Sequence, residues 1–118
     1  MQPLPPTITT SIFHDASNGF HAAASKLGSA DAAAALDAAA RLSYQGIPSL
    51  RMTTTRDSGS REVATALTAA ADAAMALAKE MRSAPAGTDF SAHKDAILGW
   101  SNLAADAAFL VEPAAWGF

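Results

Sequence analysis

Cysteine is missing from all 118 residues. Its absence removes disulfides, thiolate metal sites, thiol redox switching and cysteine nucleophiles together. Charged residues are also sparse at 16%, the net charge is −3, and basic residues gather on no single helix, so nucleic acid is not the expected principal partner. No apolar run approaches the roughly 20 residues that a membrane-spanning helix needs, because Asp and Arg recur through the alanine tracts. The opening "MQPLPPTITTS" has neither a basic nor an apolar signal region. A cytoplasmic protein without membrane contact is the expectation.

Catalytic and cofactor motifs are absent in the same way. There is no HExxH or ExxH, no GxSxG, and neither GxxxxGK[ST] nor GxGxxG. His14 and His21 stand seven residues apart, two turns along one helix face, where a helical chelate needs three or four. No metal, no cofactor and no catalytic residue are expected.

What the chain has in quantity is alanine, 31 residues against ten leucines and four isoleucines. Burial contributes about 0.8 kcal/mol per CH₂, so a core built largely on methyl groups must gain from close backbone approach or from burial against a second chain. A homo-oligomer is therefore the expected state. The alanine tracts share composition but no fixed repeat period, as in proteins from GC-rich bacterial or phage genomes.

The hydrophobic spacing predicts an all-α protein, a four-helix antiparallel bundle forming one domain over residues 1–118. An extended tail over 1–8, with three prolines, leads to a helix over about 10–27, capped at Thr10 or Ser11. Ile12, Ala16, Phe20, Ala23 and Leu27 share one side of it, and His14, Asn18, His21 and Ser25 the other. Gly28 reads as its stop.

Helix two is expected over about 30–45, with Ala32, Leu36, Ala39 and Ser43 as its stripe and an Asp37–Arg41 pair at i,i+4 outside. Gly46 and Pro48 read as its end, leaving a long 46–59 connection, "GIPSLRMTTTRDSG". Helix three, about 60–82, carries Val63, Leu67, Ala70, Ala74, Leu77 and Met81 at spacings of an a/d seam. Helix four, about 91–111, is expected to be capped at Asp89 or Ser91. Its main apolar face holds His93, Ile97, Trp100, Ala104, Ala107, Ala108 and Val111, with Trp100 as a core anchor.

Helix four also has a second stripe, Leu98, Ala105 and Phe109 beside Asn102. One amphipathic helix needs one stripe, so this one calls for the folded-back C-terminus, a neighbouring helix or a second subunit. The tail "PAAWGF" adds Trp116 and Phe118, and large exposed apolar groups mark interfaces. In and beside the long connection Arg51, Arg56 and Arg61 offer charge-assisted hydrogen bonds suited to a phosphate or an acidic protein surface.

The expected partner-binding residues are therefore Arg51, Arg56, Leu98, Asn102, Phe109, Trp116 and Phe118, and the expected function is a small protein-binding module, adaptor or inhibitor that self-associates. Two other classes have some support. "SAHKDAILGWSNLAADA" bears a faint likeness to the histidine-phosphotransfer motif, with His93 as acceptor, although Lys94 follows it directly and Gly99 is too distant. Alanine-rich helices without cysteine also suit a secreted substrate of a specialised bacterial export system, although no Trp-x-Gly sits at a helix turn.

Overall fold

The computed structural model describes residues 6–27, 29–53 and 58–115. They form four helices and no strand: α1 (Pro6–Ser25), α2 (Ala30–Thr53), α3 (Ser58–Ser83) and α4 (Lys94–Ala115), the last preceded by a 3₁₀ turn over Ser91–His93. The arrangement is the expected antiparallel bundle, 50 × 23 × 21 Å. α1 packs extensively on α2 and α4, and α2 on α3, whereas α3 and α4 meet much more lightly and α2 and α4 stand at opposite corners.

Several boundaries differ from expectation. α1 begins at Pro6, inside the expected tail; proline at a first helical position lacks only an N–H that has no helical partner there, and its φ is already helical. The helix ends at Ser25, and Lys26 and Leu27 turn the chain. Gly28, the expected stop, lies outside the described residues.

The larger difference is in α2, which continues through Gly46 and Pro48 to Thr53. The proline leaves the Tyr44 carbonyl without its helical donor, at a cost of about 3 kcal/mol. Against this, Ile47 and Leu50 are buried, each contributing about 1.5–3 kcal/mol. Burial wins, and the expected loop residues 46–53 are helical; residues 54–57 lie outside the described residues. α4 likewise runs past Val111 and Pro113 to Ala115.

The predicted stripes are the core. Ala16, Phe20 and Ala23 of α1, all four stripe residues of α2, and Leu67, Ala70, Ala74 and Leu77 of α3 are buried. Phe13, which the α1 stripe did not include, is completely buried. Small residues let the helices close on one another. A Cβ on Gly19 would lie 3.1 Å from that of Ala39, and one on Gly46 only 2.6 Å from Cζ of Phe13. Gly46 is thus a notch for an aromatic ring rather than a helix stop.

Between α1 and α4, Ser17 and Ser101 each donate a hydroxyl to the other's backbone carbonyl at 2.9 Å. Next to them Phe20 meets Trp100 edge to face at 6.0 Å, and Trp100, expected as a core anchor, packs half-buried against the core. Asp37 takes Arg82 of α3 as its partner instead of Arg41. It faces the neighbouring helix, its side chain only 15% exposed, while Arg41 points to solvent.

Candidate protein interface on the outer ridge of α4

Asp89 accepts the backbone N–H of Ser91 at 2.9 Å and so starts the turn that leads into α4. That bond, followed by the Ser91 hydroxyl, holds its carboxyl below the usual carboxylate range. His93 ends the 3₁₀ turn half-buried, its ring centroid 6.2 Å from that of Phe90. From here α4 buries Ile97, Ala104, Ala107, Ala108 and Val111 against the bundle.

Its opposite side is a ridge of exposed residues: Asp95, Gly99, Asn102, Asp106 and Phe109, at spacings of four, three, four and three. Helix periodicity puts these five on one line. Phe109 is 66% exposed, far more than any other large apolar side chain among the described residues. Leu98 and Leu110 flank the ridge half-buried, and Ala105 is exposed beside it. Because α3 and α4 meet lightly, a groove of about 250 Å³ opens there, lined by Val63, Asp106, Phe109 and Leu110.

Gly99 adds a feature that sequence reasoning missed. A Cβ built on it meets nothing within 4 Å. A mid-helix glycine costs about 0.5–1 kcal/mol relative to alanine, and no packing among the described residues calls for it. Its signal in the sequence is a glycine seven residues ahead of a carboxylate and ten ahead of an unpartnered phenylalanine, with no turn residues around it.

The predicted contact residues fall into three groups. Leu98, Asn102 and Phe109 come together on α4. Arg51 is exposed in the last turn of α2, diagonally across the bundle, where it complements the helix dipole and shares no surface with the ridge. Arg56, Trp116 and Phe118 lie outside the described residues.

A larger cavity, about 570 Å³, lies at the other end of the bundle under the α3–α4 connection, walled by Ala33, Met81, Pro85 and Phe90. Its polar groups are already engaged: Arg82 by Asp37, Ser29 Oγ by the Lys26 carbonyl and Thr88 Oγ1 by that of Pro85. The α4 ridge, with a largely exposed aromatic, is the stronger candidate. Among the described residues no three His, Asp or Glu side chains are grouped to hold a metal ion, and no helix is long and apolar enough to cross a membrane. No family model, curated protein or solved structure matches the chain.

Proposed function

We propose that this protein is a non-catalytic binding module, an adaptor or inhibitor, which self-associates and presents the outer ridge of α4 as its contact surface. The observation that carries this reading is Phe109, two-thirds exposed beside a groove between the two neighbouring helices that pack least tightly. A phenylalanine contributes to an interface mainly through desolvation of its ring, and such anchors sit at the centre of binding energy. Asn102 and Asp106, two turns and one turn before it, supply the polar contacts that set orientation. The thin alanine core supports the same reading, since burial against a second chain adds apolar contact that the bundle alone has little of.

The reading is tested by replacing Phe109 with Asp and comparing solution mass by light scattering with helicity by circular dichroism. The expected result is loss of self-association with helicity intact. A variant that unfolds would place Phe109 in the intramolecular core and overturn the proposal.

A further inference from the structure

Self-association through the α4 ridge, the reading this step rests on, leaves open how two ridges meet. We infer that two copies dock with their α4 helices antiparallel, so that each Phe109 ring seats on the bare backbone of the other's Gly99. Both residues lie on the exposed ridge, ten positions or about 15 Å apart along the helix. Among the described residues, the Phe109 ring is two-thirds exposed and nothing lies within 4 Å of where a Gly99 side chain would begin.

The same fit already exists inside the chain. Phe13 of α1 packs on Gly46 of α2 so closely that a Cβ there would fall 2.6 Å from the ring. A glycine in a helix is thus used once as a seat for an aromatic side chain from an antiparallel neighbour. Gly99 and Phe109 are the two halves of a second such seat, both facing outward.

Direction follows from the residues between them. With the two-fold axis level with residue 104, Gly99 faces the other copy's Phe109, and Asn102 faces the other copy's Asp106. The Asn amide donates to the carboxylate, and symmetry repeats each pairing. A parallel pairing in register would instead set Asp106 on Asp106, Phe109 on Phe109, and glycine on glycine. That arrangement repels where the first attracts and leaves both notches empty.

The test is complementation between exposed-site variants, read by light scattering and sedimentation. Gly99→Leu fills the notch, and Phe109→Ala removes the ring. Each alone is expected to self-associate at least ~10-fold more weakly than wild type. Mixed in equal amounts they should recover dimers, because one seat is then native and the other holds leucine opposite alanine.

A second pair, independent of the notch, uses only surface polar groups. Asn102→Asp opposes two carboxylates and should weaken association ~10-fold, and adding Asp106→Asn to it should restore the wild-type value. If wild type dimerises and Phe109→Asp does not, yet neither the mixture nor the double variant recovers, the antiparallel arrangement is wrong while the ridge remains the interface. A wild-type monomer at every concentration would overturn both.

Discussion

Gly46 and Gly99 both lie inside helices, and their surroundings make opposite demands. At Gly46 an added methyl meets the Phe13 ring, which is fully buried and cannot retreat. Overpacking of about 1–3 kcal/mol exceeds the roughly 0.5–1 kcal/mol that alanine gains as a helix former. Gly46→Ala should therefore lower the urea midpoint. Gly99→Ala meets nothing, so below the self-association range it should raise stability by about 0.5–1 kcal/mol, while weakening any dimer that uses the notch. Equal effects of the two substitutions would contradict the packing described.

Tyr44 is the other residue with a distinct expectation. Its hydroxyl donates to Asp72 of α3. Partial burial of the phenol, and then that carboxylate, push its pKa from the ordinary 10 up to about 12, although 37% of the residue stays exposed. A raised pKa means that the unfolded chain releases the proton first, so the contribution to stability is complete below pH 10 and declines as pH rises through about 12. Tyr44 is the sole tyrosine, so phenolate absorbance reports on it alone. Titration at its ordinary value in the native protein would mean that the Asp72 contact does not persist in solution.

At the scale of elements, α2 sets the lesson. Gly46 and Pro48 carry strong local signals for a helix end, and a reading by local signals stops there. What carries the helix on is tertiary: Ile47 and Leu50 are buried in the core and Gly46 fits under Phe13. None of those neighbours is adjacent in sequence. Pro48 itself is exposed, so Pro48→Ala restores a backbone bond to the Tyr44 carbonyl without disturbing packing. It should raise the unfolding free energy by about 1–3 kcal/mol, measured by chemical denaturation; a fall would mean that the chain needs the break.

By contrast, the stripes of α1, α3 and the first half of α2 were readable because apolar spacing near 3.6 residues reports directly on which face is covered. Phe13 escaped because it stands one residue off the line through Ile12 and Ala16. The Asp37–Arg41 pairing failed for a related reason: i,i+4 spacing says that two charges can meet, not that a closer cation on the next helix will not take the place.

At the scale of the molecule, the bundle is uneven. α1 is held to α4 by reciprocal serine bonds and an aromatic edge contact, α2 to α3 by Tyr44–Asp72 and Asp37–Arg82, and the α3–α4 side is left comparatively open. The second stripe of α4 was visible in the sequence as apolar residues without a partner. That Leu98 is half-buried against the core while Phe109 stands clear of it was not, because spacing along one helix does not report how far its neighbours cover each position.

The open side and the ridge beside it make self-association the property on which the rest depends. It is tested most directly by light scattering coupled to size exclusion, on wild type and Phe109→Asp across a common concentration range. A wild-type mass that rises to twice that of the 12.0 kDa chain, beside a helical variant that stays monomeric, is the expected result. Two species of identical mass at every concentration would contradict it.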